Sequence, residues 1–382
     1  MKAEGLLRLN SLLLAVLFVG INMHCGQAQQ KSWTFKSEKL NLKADVVADG
    51  ITVPFGIAFL PDGKLLVTDR SDGKILIVDP VTGSKTALKN VPKVHGKDQA
   101  GMMDIILHPS YTENGWIFFS YSGIVNNGNT TMVERAKLNG NSLTDRAVIF
   151  TSAPAYKNGA HYGSRLAIKD GYLFITVGER YSLKDSSQLL GNTLGKVIRV
   201  HDDGRIPADN PFVNRPGARP EVWSYGHRNP QGLAFDPQSG DLWESEHGPQ
   251  GGDEINLISP GKNYGWPVIT YGIDYSGMPI GDGITKKEGM EQPVHYYKPS
   301  IGTSGLTFYT GEVLKEWKGN LFVGGMALTH LNRLEIKDNK VVNEERLFKD
   351  KGWRVRCIKQ GPDGLIYIGV DGGMVIRISR GD

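Results

Sequence analysis

One phrase recurs six times along this chain: a strand, a tight turn, a second strand. Few folds can use it that often. Residues 55–68 carry it in full, as two apolar runs joined by Pro61-Asp62-Gly63. Residues 232–243 and 356–368 repeat it around Gln238-Ser239-Gly240 and Pro362-Asp363-Gly364. Weaker copies span 103–119, 164–177 and 305–323, around His108-Pro109, Asp170-Gly171 and Lys318-Gly319-Asn320. Paired apolar or alternating runs across a Gly, Asp or Asn turn are a hairpin signal. The copies begin near residues 56, 103, 164, 232, 305 and 356, a spacing that suits four short strands plus insertions. One such unit cannot bury its own faces, whereas stacking the units in a ring does. The expected fold is all-β, a six-bladed β-propeller over 42–382. The alternating segment 42–47 precedes the first copy and is expected to complete the last blade and close the ring. Helical periodicity is nearly absent; 314–317 reads as one turn at most. A two-sheet sandwich would leave the six copies unexplained.

The chain opens on Lys2 and Arg8, then an apolar run over 12–21, then Gly26-Gln27-Ala28. That order predicts a secretory signal over 1–28, a lead-in over 29–41 and a mature protein exported to the periplasm. His24 before Cys25 does not suit a lipid anchor. Loss of Lys2, Arg8 and Glu4 takes the formal charge from +4 to +3. So small a charge gives no reason to expect nucleic acid as a partner, and no stable membrane insertion is expected. Cys357 is then the one cysteine left, so no intrachain disulfide can form.

A propeller gathers function on the face where loops enter the inner strand of each blade. Polar residues stand at those entries. Gln99 opens the second copy, and His161, between Gly159-Ala160 and Tyr162-Gly163, opens the third. Arg228 and Asn229 open the fourth, and Arg354 and Arg356 open the sixth. A guanidinium beside an amide can hold an anionic ligand with several oxygens in one plane. A neutral imidazole among glycines can take a proton from a hydroxyl. Arg354 and Arg356 alternate on a strand, so both should point to one side. Taken singly, each of these is also compatible with an ordinary turn, a surface histidine or a solvated face. The stretch 246–256 mixes Gly, Asp and Glu, which suits calcium and its many oxygen ligands. It is not an EF-hand loop, and no Cys/His set points to zinc.

Taken in order, these motifs resemble the soluble quinoprotein aldose sugar dehydrogenases of the glucose/sorbosone dehydrogenase family. The resemblance runs from about residue 45 to 380. It is carried by 225–235, 246–258, 263–267, 271–277 and the Arg354/Arg356 pair. It implies a six-bladed propeller with pyrroloquinoline quinone (PQQ) on its channel. It also implies an aldose substrate, oxidised at C1 to a lactone by hydride transfer to the quinone, and an electron acceptor the sequence does not identify. His161 would be the general base, and Arg228 would polarise the quinone oxygen. Gln99 would lie in the active site; Asn229, Tyr275, Arg354 and Arg356 would touch the cofactor. The carbonyls of Gly248 and Pro249 would hold one calcium ion against it. Glu254 and the Tyr264 carbonyl would bind a second, structural calcium. Two positions depart from the family. Ala327 stands where a cofactor-binding lysine is usual, which predicts weaker PQQ affinity. Ala160 stands where the glucose-specialised branch has an acid, which points to broader aldose use. A calcium-dependent lactonase on the same plan would not need Arg228, Arg354 and Arg356 around the channel. A non-catalytic propeller binding module is the other alternative, suggested by the missing lysine.

Overall fold

The computed structural model describes residues 31–381; the expected secretory signal and Cys25 lie outside the described residues. Among the described residues the strands form six sheets around a central channel. Every copy of the repeated phrase supplies the first two strands of one blade. They are Pro54–Phe59 and Leu65–Asp69 in blade 1, Met102–Leu107 and Trp116–Val125 in blade 2, and Leu166–Lys169 and Tyr172–Val177 in blade 3. Pro230–Phe235 and Leu242–Glu246 follow in blade 4, Thr303–Phe308 and Leu321–Gly325 in blade 5, and Arg354–Gln360 and Ile366–Asp371 in blade 6. All neighbouring strands within a blade are antiparallel, as hairpin connections require.

Blade 6 closes the ring. Asn41–Ala48 pairs with Met374–Arg380, so the two ends of the propeller share one sheet. Ser32–Lys36, inside the segment expected as a lead-in, adds a fifth strand outside it. Its Trp33 and Phe35 pack edge-on against Trp353 and Phe348. Lys315–Trp317 is a single 3-10 turn, and Tyr111–Asn114 is a one-turn helix that the sequence pattern did not reveal.

Each junction between adjacent blades carries a side-chain-to-carbonyl hydrogen bond near the channel. In blades 1 to 4 the donor is a hydroxyl on the second strand. Thr68 donates to the Met103 carbonyl, Ser120 to Ser164 (2.6 Å), Thr176 to Pro230 (3.3 Å) and Ser245 to Ser304 (2.7 Å). Blades 5 and 6 have glycine there, and the inner strand supplies the donor. Ser304 donates to the Val355 carbonyl at 2.6 Å, and the Cys357 thiol to Pro54 at 3.5 Å. A Cβ at Gly324 would lie 2.2 Å from Ser304 Oγ, and one at Gly369 would lie 2.6 Å from Cys357 Sγ. The glycine and the displaced donor are therefore one coupled choice.

The channel is plugged by Arg165, which is fully buried. Its Nε donates to the Gln231 carbonyl at 2.6 Å, Nη1 to Phe55 at 2.8 Å and Nη2 to Arg356 at 2.8 Å. Asp104 of blade 2 stands 3.5 Å from Nη1. One side chain thus ties blade 3 to blades 1, 2, 4 and 6.

Candidate active site

The inner strands of five blades begin on a register shift, at Pro54/Gly56, Met102/Ile105, Pro230/Gly232, Thr303/Leu306 and Val355/Cys357. A bulge re-aims side chains at a sheet edge. Here it turns residues at the strand starts toward one mouth of the channel. Residues at the ends of the second strands meet them there.

His161 sits in that mouth with a left-handed backbone, φ 50°, and is 5 % exposed. Its amide donates to Gln99 Oε1 at 2.9 Å, so Gln99 holds the loop. Its Nδ1 lies 3.0 Å from Glu179 Oε2, both groups buried. A carboxylate accepts, so the proton sits on Nδ1 and the Nε2 lone pair is free. Burial lowers the imidazole pKa, with help from Arg228 and Arg180; Glu179 opposes the shift but does not cancel it. The group is therefore neutral at neutral pH, with Nε2 able to accept a proton. Glu179 does for the imidazole what an acid at 160 could have done. It lies just past the second strand of the third copy, in Val177-Gly178-Glu179, and the sequence reading passed over it.

Arg228 is fixed from both ends. Its amide donates to Glu246 Oε2 at 2.6 Å, and its Nη1 donates to the carbonyls of His247 (3.1 Å) and Gly248 (2.8 Å). The guanidinium lies 5.2 Å from the Trp266 ring centre. Asn229 Oδ1 accepts from the Gly163 amide at 3.2 Å, which joins blades 3 and 4 at the rim. Arg354 and Arg356 do reach one point: both donate to Asp371, at 3.3 Å and 2.6 Å. Burial alone would raise the Asp371 pKa, but Arg356, Arg70 and Arg354 outweigh it and lower it. Arg354 also donates to the Met326 carbonyl at 2.9 Å, beside the exposed Ala327. Tyr275 is 62 % exposed and borders a cavity of about 200 Å³ with Glu179, Tyr181, Arg228, Pro249 and Trp266.

Several buried polar atoms in this mouth have no partner: Arg228 Nε, Asn229 Nδ2, His247 Nε2 and Arg70 Nε. Leaving one such atom unpaired costs on the order of 1–3 kcal/mol, and the three donors among them, on Arg228, Asn229 and Arg70, fit a planar anionic ligand above them. Burial and the guanidinium of Arg228 hold His247 neutral, with its pKa lowered to about 3. A cavity of about 590 Å³ opens at the far end of the channel, where Phe59, Leu107, Phe235 and Pro362 line it together with Asp104, Lys359 and Gln360.

The acidic stretch folds into a compact cluster. Asn256 Nδ2 lies 3.0 Å from Glu244 Oε2, 3.2 Å from Glu246 Oε1 and 3.4 Å from Glu254 Oε2. Two amide protons cannot satisfy three carboxylates. His227 adds a nitrogen, with Nδ1 3.5 Å from Glu246, and its ring stacks on Tyr264 at 4.6 Å. Burial, then the charge of Glu246, pushes the carboxyls of Glu244 and Glu254 well above the usual range. Glu246, Glu254, Tyr264 and Thr270 border one small cavity with Gly248. So the fold brings Glu254 and Tyr264 together and adds Glu244, Glu246 and His227, which spacing alone had not singled out. An oxygen-rich set short of donors fits a hard cation such as calcium. Nearby, the Gly248 carbonyl already accepts from Arg228, and the Pro249 carbonyl accepts from Ser300 Oγ at 3.4 Å. Each keeps a second lone pair that a cation could use.

Among the described residues no helix is long and apolar enough to cross a membrane. The family model described as Glucose / Sorbosone dehydrogenase matches residues 51–377. The aldose sugar dehydrogenase YliI of Escherichia coli is 38 % identical over 347 residues, covering 88 % of this chain and 93 % of that one. The quinoprotein glucose dehydrogenase B of Acinetobacter calcoaceticus is 32 % identical over 296 residues, covering 70 % and 61 %. Among solved structures, the apo-form of the soluble aldose sugar dehydrogenase from E. coli superposes with a TM-score of 0.86 at 37 % identity, over 89 % of this chain and 100 % of that one. The PQQ-bound aldose sugar dehydrogenase from Streptomyces coelicolor superposes with a TM-score of 0.71 at 26 % identity, over 92 % and 99 %. With its fold, its channel-mouth site and these likenesses, the chain belongs to the glucose/sorbosone dehydrogenase family.

Proposed function

We propose that this protein oxidises the C1 hydroxyl of aldose sugars to lactones, with PQQ as the bound oxidant and calcium as its companion ion. The observation that carries the reading is the buried His161–Glu179 pair, set among unpartnered donors at the channel mouth. When bound, PQQ supplies the two-electron hydride acceptor, and calcium supplies a Lewis acid against it. His161 takes the hydroxyl proton on Nε2, and Glu179 stabilises the imidazolium that results. That proton and the hydride leaving C1 account for the two hydrogens lost in making the lactone. Arg228 donates toward the charge that develops beside it, in a mouth partly closed to water. Asn229, Arg356, Arg354 and Tyr275 orient the planar cofactor. The carbonyls of Gly248 and Pro249 would face the cofactor's calcium. Glu254 and the Tyr264 carbonyl, with Glu244 and Glu246, would hold the structural one.

The electrons then pass to an external acceptor, and the expected export places the reaction in the periplasm. A hydrolytic lactonase would have no use for guanidiniums from blades 4 and 6 converging on one mouth. The test is aldose-dependent dye reduction by protein loaded with PQQ and calcium, with bound cofactor quantified. The expected result is reduction that needs sugar and PQQ together. Its absence across a wide aldose panel, despite bound PQQ, would refute the reading.

A further inference from the structure

Arg70 stands just past the second strand of blade 1, in the series that places His247 past that strand in blade 4 and Asp371 at its end in blade 6. The residue has been pressed into place. Its carbonyl accepts from the Met102 amide at 3.2 Å. A Cβ at Gly101 would fall 1.8 Å from that oxygen and 2.9 Å from Arg70 Cγ. Gly101 also has φ 142°, so glycine there lets the arginine stem lie directly against blade 2.

The guanidinium has little to do in the protein alone. Its Nε is buried without a partner, and it makes no ion pair among the described residues. The carboxylate in its field, Asp371, is already held by Arg354 and Arg356. Arg70 thus feels a carboxylate already shared by two guanidiniums, with Arg165 a further cation in its field. Burial and these neighbours lower the Arg70 pKa to about 10, still charged at neutral pH. A half-buried arginine beside like charges weakens the fold unless an anion joins it. Blade 5 brings Gly325-Met326-Ala327 to the same ring and no cation.

We propose that Arg70 is a cofactor-anchoring residue: its guanidinium takes a carboxylate of PQQ and completes the cationic side of the mouth that blade 5 leaves open. The proposal rests on the PQQ reading above. PQQ is a planar tricarboxylate, and a planar fork with spare donors matches one of its carboxylates.

The test is PQQ binding to calcium-saturated full-length protein, read by tryptophan quenching, beside melting curves of the PQQ-free protein. It compares wild type, Arg70→Gln and Arg70→Lys. A lost charge-assisted contact should weaken PQQ binding roughly ten- to a hundredfold in Arg70→Gln. Arg70→Lys should fall between, since it keeps the charge and loses the fork. The PQQ-free melting temperature of Arg70→Gln should equal or exceed that of wild type, because a repelled cation has been removed. A purely structural arginine predicts the reverse. Lower PQQ-free melting temperatures in both variants, or affinity within twofold of wild type in Arg70→Gln, would overturn the proposal and leave the PQQ reading standing. Failure of the wild type itself to bind PQQ would overturn both.

Discussion

His161 is unprotonated because it is buried, and it is usable because Glu179 fixes its tautomer. These two effects pull its pKa in opposite directions, with burial the larger. Activity should therefore rise with pH along a limb lying below the ordinary histidine value of about 6.5 and be flat above it. Glu179→Gln removes the group that raises the pKa, so the limb should move to lower pH while the rate falls. His161→Gln should leave PQQ bound and lower turnover by about 10²–10⁴, the usual worth of a general base. The pH–rate profiles of the three proteins, per bound cofactor, check this. A limb that stays put in Glu179→Gln would remove Glu179 from its role. Cys357 is a different kind of residue. Burial pushes its thiol up to about 12, and its Sγ donates across the blade 6–blade 1 junction. It should resist alkylation in the native protein and react only on unfolding, as mass spectrometry of labelled protein would show. Part of the candidate site was legible at this scale. Gln99, His161, Arg228, Asn229 and the two blade 6 arginines stand out in sequence as polar residues at loop-to-strand entries. Glu179 and Asp371 do not, because each looks like the ordinary end of a strand, and Glu246 and His247 show only as the start of the acidic stretch. Their partners lie across the mouth, and only the closed ring sets that pairing.

Elements explain why the rest was legible. The phrase repeats because every blade meets the same physical demand, two strands whose faces both become buried between neighbours. The junction hydrogen bonds were hidden for the opposite reason. Thr68, Ser120, Thr176 and Ser245 look like scattered polar residues on apolar strands, and their acceptors lie in another copy. The exchange of Ser304 with Gly324, and of Cys357 with Gly369, shows that the junction, not the residue, is what recurs. The acidic cluster on blade 4's second and third strands makes the strongest demand on its surroundings. Glu244, Glu246 and Glu254 share the Asn256 amide, so calcium should stabilise the native protein by mass action. Chelation should lower the melting temperature, and added calcium should restore it. Glu254→Ala should lower it even in saturating PQQ, since its place is in the strand cluster and not at the cofactor. A melting curve indifferent to chelator would remove the structural ion.

At the scale of the whole molecule, a ring has a weakness that a stack of blades does not: it can open at any junction. Two devices oppose that. Asn41–Ala48 locks the first stretch of the described chain into the last blade. Arg165 acts at the centre, where it donates to the carbonyls of Gln231, Phe55 and Arg356 and faces Asp104. Burial lowers its pKa, yet the planar fork meets an acceptor on each of three blades, which a lysine could not do. Arg165→Met keeps much of the volume, strands three carbonyls away from water and removes the cation that faces Asp104. Breaking one side of a buried charge pair costs about 3–5 kcal/mol, a large share of a typical native stability of roughly 5–15 kcal/mol. Arg165→Lys keeps the charge but can satisfy fewer acceptors, so it should lose less. Equilibrium urea unfolding, followed by tryptophan fluorescence and far-ultraviolet circular dichroism, should show both midpoints falling together in Arg165→Met. The plug touches blades on every side, so its loss should weaken the ring as a unit. A midpoint that falls by one probe alone would mean that a single blade had loosened, and Arg165 would then be a local contact.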